Sequence, residues 1–157
     1  MRKRGVKLET LPELVQKWTG LLGLDVKAGF EPSGNEKLFP NRIVVSGPDA
    51  DALKANRGQA LDALQHLVHE MQSERDEDKL AYLDADGMRL FRMREVLAMG
   101  QMAAQKARDL GSYTFGAMSP RERRWIHISI KEAGDDLVTE SEGTGHLKPV
   151  KVMRKQA

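Results

Sequence analysis

The stretch Met118-Ser-Pro-Arg-Glu-Arg-Arg-Trp-Ile-His127 decides how this chain is read. Ser119 followed by Pro120 is a helix start. A serine side chain accepts hydrogen bonds from the free amides of a first turn, and proline's fixed φ and missing N–H suit the first helical position. Within such a helix Arg123 and His127, four residues apart, lie on one face a turn apart. A guanidinium grips a phosphate through two parallel hydrogen bonds, and an imidazole stacks on a base or donates to an oxygen. The pair therefore points to single-stranded nucleic acid. Trp125 and Ile126 between them, like Trp18, are expected to face a core. Arg-x-x-x-His by itself is a common surface spacing, and the plainer reading is a surface arginine with a histidine bonded to Glu122 or Glu142.

Outward from this helix the pattern resolves into two modules. On the C-terminal side Gly134 ends the helix, and Leu137 to Glu140 and Pro149 to Met153 read as strands around a glycine-rich loop. On the N-terminal side a long helix is expected from Met88 to Leu110, with Met93, Val96, Leu97, Ala103, Ala104, Ala107 and Leu110 inward. Ser112 to Met118 is expected to be extended, and Gly87 marks a domain boundary. Further back, Thr10-Leu-Pro-Glu13 reads as a capping box opening a helix with Leu14, Val15, Trp18, Leu21 and Leu22 on one face. Alternation at Leu24, Val26, Ala28 and Phe30 predicts a strand, and Arg42-Ile-Val-Val-Ser46 a second. Asp49 is expected to cap a short helix reaching Asn56. After a break at Gly58, Leu61, Leu64, Leu67, Val68 and Met71 form an amphipathic stripe, and Leu80 and Tyr82 belong to a third strand.

Three segments, Gly58 to Val68 (GQALDALQHLV), Met118 to His127 (MSPRERRWIH) and Val138 to Gly143 (VTESEG), carry a resemblance to a known family. In order and spacing they resemble the bacterial Jag-type (SpoIIIJ-associated) proteins, which join a KH domain to an R-3-H domain. The resemblance runs from about Leu11 to Met153, and the separate amino-terminal domain of many members is expected to be absent. It implies an α+β fold: a type II KH domain (α-β-β-α-α-β) at 8–86, then an R-3-H domain at 87–155 with helices packed on a small antiparallel sheet. It also implies a non-enzymatic, cytoplasmic regulator of cell elongation and envelope growth that binds single-stranded RNA, with single-stranded DNA as an alternative ligand. A small stand-alone KH protein is the implied protein partner.

The resemblance also supplies candidate contacts. The KH family clamps four nucleotides with a Gly-x-x-Gly loop. The matching residues are Ala55, Asn56, Arg57 and Gly58, so alanine replaces the first glycine and is expected to weaken the loop by disfavouring positive φ. Lys54 stands where the family has an apolar residue. In the second module Arg123 and His127 match the motif, Arg121 and Arg124 add charge, and Ser141, Glu142 and Gly143 match the adjoining loop. Lys148 and Pro149 stand where arginines are usual.

Composition limits the alternatives. Only 5% of residues are aromatic, which argues against a stacking-rich platform. The balance of 25 Lys and Arg against 23 Asp and Glu is nearly even, though Arg2, Lys3, Arg4 and Lys7 open the chain and Lys148, Lys151, Arg154 and Lys155 close it. The absence of cysteine excludes disulfides and thiolate metal sites. No apolar run approaches the roughly 20 residues that span a bilayer, so no membrane insertion is expected, and Met1-Arg-Lys-Arg lacks the apolar core of a secretory leader. The eight methionines read as packing residues. His66 and His69 stand at i and i+3 but without an HExxH pattern or any cysteine, and Asp84 and Asp86 could bind magnesium as in a nuclease but have no clear third ligand. No cofactor, metal or enzymatic activity is expected. The rival reading is a protein-interaction module using the Leu61 to Met71 helix face or the sheet edge.

Overall fold

The computed structural model describes residues 5–156, so the basic opening run Arg2-Lys3-Arg4 lies outside the described residues. The chain forms two compact units that meet in sequence between Leu90 and Phe91. Among the described residues no helix is long and apolar enough to cross a membrane.

The first unit runs α1 (Leu11–Leu21), β1 (Lys27–Phe30), β2 (Arg42–Ser46), α2 (Ala50–Gln72) and β3 (Tyr82–Ala85), and non-helical residues 55–58 divide α2 into the two successive helices expected there. Strand β2 is central. It pairs antiparallel with β1, Lys27 opposite Ser46, and parallel with β3, Arg42 opposite Tyr82. A parallel pair needs a crossover, and α2 supplies it. The core joins Leu11 and Val15 of α1, Ile43 and Val45 of β2, Leu53, Leu61, Leu64 and Val68 of α2, and Leu83 of β3.

Several local expectations fail for identifiable reasons. Thr10 makes no capping bond; it ends a 3-10 turn (Leu8–Thr10) and its hydroxyl donates back to the Lys7 carbonyl at 2.8 Å. The Asp49 carboxylate does not cap α2 but accepts the Asp25 amide at 2.6 Å. Leu21 ends α1, Leu22 is its C-cap, and the two are 77% and 68% exposed. Leu67 and Met71 also point outward, because the buried face of α2 runs through Gln65 and Gln72 instead. These glutamines close the outer edge of β3. Gln65 accepts the Leu83 amide at 2.6 Å and donates to the Ala81 carbonyl at 2.7 Å, while Gln72 accepts the Ala81 amide at 2.8 Å and donates to the Lys79 carbonyl at 3.1 Å. Two amide side chains thus stand in for a neighbouring strand, which an edge otherwise invites from another chain.

Helix α3 (Met88–Leu110) begins in the first unit. Fully buried Asp84 anchors its first turn by accepting the Arg89 amide at 2.8 Å and the Leu90 amide at 3.2 Å, and it pairs with Arg42 Nε at 2.8 Å. Arg89, also buried, donates to the Leu83 carbonyl and pairs with Asp62.

The second unit continues with β4 (Ser112–Thr114), α4 (Pro120–Ala133), β5 (Leu137–Ser141) and β6 (Val150–Arg154). Its sheet is antiparallel in the order β4-β6-β5, with Tyr113 opposite Val152 and Thr139 opposite Val152 from the other side. Met93, Val96, Ala103, Ala104 and Ala107 of α3, Trp125, Ile126 and Ile130 of α4, and Val150 and Val152 of β6 are buried. Leu110, expected inward, is 76% exposed beside the turn at Gly111. Helices α3 and α4 approach so closely at Gly100 that a Cβ there would lie 2.3 Å from Ser129 Oγ, which explains the glycine in mid-helix.

Candidate nucleic-acid interface

The N-terminus of α4 is fixed from both directions. The Glu122 amide donates to Ser119 Oγ at 3.4 Å, and the Glu122 carboxylate accepts from the Ser119 amide and hydroxyl, each at 3.0 Å. Arg92 of α3 donates to the other carboxylate oxygen at 2.6 Å. Burial pushes the Glu122 carboxyl upward, but the Arg92 guanidinium and the Ser119 bonds outweigh it and hold the group below its usual range. Glu122 is therefore committed to α3 and to its own cap, and His127 bonds elsewhere.

Both ring nitrogens of half-buried His127 face hydroxyls on β5: Nδ1 lies 2.5 Å from Thr139 Oγ1 and Nε2 lies 3.2 Å from Ser141 Oγ. Burial first, and the charge of Arg123 second, lower its pKa below the ordinary histidine value. An imidazole in this setting is neutral at pH 7 and has no nitrogen left to offer a base. Both nitrogens are thereby engaged in fastening α4 to β5.

Arg123 differs. No carboxylate pairs with it among the described residues. Its Nη2 makes one long contact, 3.4 Å, with the His146 carbonyl, and its Nε is buried without a hydrogen-bond partner in the protein. The loop 142–149 is drawn against the start of α4 by that contact, by the His127–Ser141 pair and by a bridge in which Met118 and Lys148 exchange amide and carbonyl at 2.9 and 3.1 Å. Ser141 and Lys148 are half-buried, Glu142 and Gly143 are exposed, and Gly143 turns the loop at φ +90°. Arg124 is half-buried on α4, and Trp125 is in the core. The structure thus gathers Arg123, His127, Ser141 and Lys148 around one end of α4.

Residues 55–58 form a separate feature in the first unit. They interrupt α2, with Asn56, Arg57 and Gly58 in succession at φ +52°, +60° and +79°. Ala55 has φ −57° and ψ 151°, an extended conformation that alanine adopts freely, so the expected penalty of a lost glycine does not arise there. Positive φ is needed at Gly58, where an added Cβ would also meet Met88 Cε at 3.1 Å. Ala55, Asn56 and Arg57 are exposed, and no carboxylate pairs with Arg57 among the described residues. Lys54 is held by Asp51 at 2.6 Å and Asp86 at 3.0 Å; its bonds to Asp51 and then Asp86 raise its pKa.

The metal readings do not fit. Asp84 is consumed by Arg42 and the α3 amides and Asp86 by Lys54. His69 Nε2 faces the Ala81 carbonyl at 3.0 Å while His66 is exposed, and the described residues contain no cluster of three metal-ligating side chains. Arg92 and His146 escaped sequence reading, and Thr139 lay inside the Val138 to Gly143 segment without being given a role. Thr139 was the most readable, because two-residue periodicity on a strand puts it on the same face as Ser141.

Residues 94–154 match the family model of the R-3-H domain. The chain is also similar to the RNA-binding protein KhpB of Clostridium symbiosum, with 27% identity over 159 aligned residues covering 98% of this chain and 70% of the relative.

Proposed function

We propose that this protein binds single-stranded nucleic acid, RNA foremost, through the loop 142–149 and the first turns of α4, and performs no chemistry on it. The observation that carries the reading is the guanidinium of Arg123, half-buried, unpaired with any carboxylate among the described residues and with one buried N–H lacking an acceptor. A buried donor without a partner is costly, and a phosphate oxygen satisfies charge and hydrogen bond together. Lys148 in the same loop and Arg124 on the same helix add positive potential, and the exposed turn at Gly143 lets a sugar-phosphate chain come close.

In this reading the first unit is a type II KH domain. The αββααβ order, the parallel β2–β3 pair and the 55–58 break support it, and Arg57 is the cation it offers to the backbone. The similarity to an RNA-binding protein over 98% of the chain supports the choice of RNA; the sequence resemblance extends the proposal to a Jag-type regulator in the cytoplasm, connected with cell elongation and partnered by a small KH protein. If about three phosphates are neutralised, log K falls with log salt at a slope near −2. Titration of labelled single-stranded RNA and DNA at two salt concentrations tests this. Salt-sensitive binding that Arg123→Ala weakens strongly and Arg57→Glu weakens further supports it; binding indifferent to salt and to both variants removes it.

One observation favours the rival reading for the first unit alone. Leu67 and Met71 expose 49% and 41% of their surface on one side of α2, a face suited to a protein partner, while Lys54 beside the 55–58 loop is neutralised by two aspartates.

A further inference from the structure

The geometry points to Thr139 as a positioning residue that sets the direction of a hydrogen-bond relay, Thr139 to His127 to Ser141, and so leaves the Ser141 hydroxyl as a donor to a phosphate oxygen. This deepens the nucleic-acid reading above and rests on it.

A neutral imidazole has one donor and one acceptor nitrogen, and a hydroxyl has a single proton. Two arrangements are therefore open to the triad. In one, the Thr139 hydroxyl donates to Nδ1, Nε2–H donates to Ser141 Oγ, and the Ser141 proton remains for an outside acceptor. In the other, Nδ1–H donates to Thr139, and the only proton of Ser141 is drawn inward to Nε2. The loop would then present lone pairs to an incoming anion.

The two distances separate these arrangements. Hydroxyl donors work at about 2.5–3.0 Å and N–H donors at about 2.7–3.2 Å. The 2.5 Å contact of Thr139 with Nδ1 is short for an N–H donor, and the 3.2 Å contact of Nε2 with Ser141 is long for an O–H donor. Both contacts favour the first arrangement. Strand β5 places Thr139 to do this, opposite Val152 of β6 and two residues from Ser141 on the same face. Ser141 is half-buried and is followed by exposed Glu142 and Gly143, so its outward side is reachable.

Nitrogen NMR of the His127 ring, together with titration of labelled oligouridylate, tests the relay. The ring of the wild type should carry its proton on Nε2, and Thr139→Val should shift it toward a mixture of tautomers. Thr139→Val should also weaken oligouridylate binding by about two- to tenfold, the range of one neutral hydrogen bond. Ser141→Ala should weaken it similarly, the double variant should lose no more than either single one, and Thr139→Ser should restore binding. A wild-type ring protonated on Nδ1 overturns the relay, and so does undiminished affinity in Thr139→Val. Should Thr139→Val fail to fold, the wild-type tautomer and the Ser141→Ala titration decide between these outcomes. Wild-type protein that takes up no oligouridylate brings down the nucleic-acid reading itself, whereas binding that is present but insensitive to Thr139 brings down the relay alone.

Discussion

The two units handle charge in opposite ways. Up to Leu90 the chain has 13 Lys and Arg against 15 Asp and Glu; from Phe91 onward it has 12 against 8. In the first unit two arginines are turned inward, Arg42 and Arg89, buried against Asp84, Glu31 and Asp62, and Lys54 is gripped by two aspartates, while Arg57 is exposed. In the second, Arg92 and Arg108 are paired with acids, but Arg123 and Lys148 are held in place by backbone and loop contacts, without a carboxylate among the described residues. Charges of the first kind maintain a fold; charges of the second kind remain available to a ligand. A near-neutral total conceals this division, and the distribution matters more than the sum.

The contrast is sharpest in two substitutions. Asp84→Ala should cost about 3–5 kcal/mol of stability, because it strands buried Arg42 and two α3 amides. Urea unfolding should show this as a lower midpoint, with nucleic-acid affinity unchanged in whatever remains folded. Arg123→Ala should do the reverse. Loss of a charge-assisted hydrogen bond to phosphate, about 1.5–3 kcal/mol, weakens binding roughly 10- to 100-fold, while the thermal midpoint stays where it was, since no acid among the described residues depends on this guanidinium. A large stability loss from Arg123→Ala would erase the distinction between the two units.

The loop at 55–58 sharpens it further, with smaller effects. Ala55→Gly restores the full Gly-x-x-Gly pattern yet should change affinity by no more than about twofold, because glycine has no advantage at an extended φ. Arg57→Gly should leave stability within about 1 kcal/mol, relief of left-handed strain being offset by greater freedom of the unfolded chain. Any drop in affinity then reports the charge of Arg57 alone. Anisotropy titrations of both variants measure this, and a strong gain in Ala55→Gly would mean that the first unit, not the second, dominates capture.

Legibility from sequence followed the range of the physics involved. The α4 start at Ser119-Pro120, strand β2 and both ends of α3 were readable because caps, β-branched runs and helical periodicity are local signals. The Thr10 box failed because a 3-10 turn competes for the same hydroxyl, and Leu67 and Met71 were misplaced because Gln65 and Gln72 are polar residues with an inward role that only the β3 edge reveals. The candidate site was legible as a set of residues but not as roles. Nothing in Arg-x-x-x-His says that the histidine's two nitrogens will meet hydroxyls 12 and 14 residues later while the arginine's Nε stays without an acceptor.

That difference in role gives the smallest predicted effect, one of pH. Burial, reinforced by Arg123, depresses the folded pKa of His127 below its unfolded value of about 6.5. As pH falls through about 6.5 the unfolded chain takes up the proton first, so stability is lost progressively until the folded pKa is passed, and the dependence then flattens. The contribution is fully present above about pH 6.5 and declines only on the acid side. In His127→Gln, where the side chain still bonds to hydroxyls but does not titrate, this part of the acid sensitivity should vanish while that of the carboxylates persists. Urea midpoints of the two proteins at about pH 7.5 and about pH 5.5, on either side of the ordinary histidine value, give the comparison. If the wild type loses no more than the variant on acidification, His127 is more open to solvent than its bonds to Thr139 and Ser141 imply, and it rejoins the groups that touch the ligand directly.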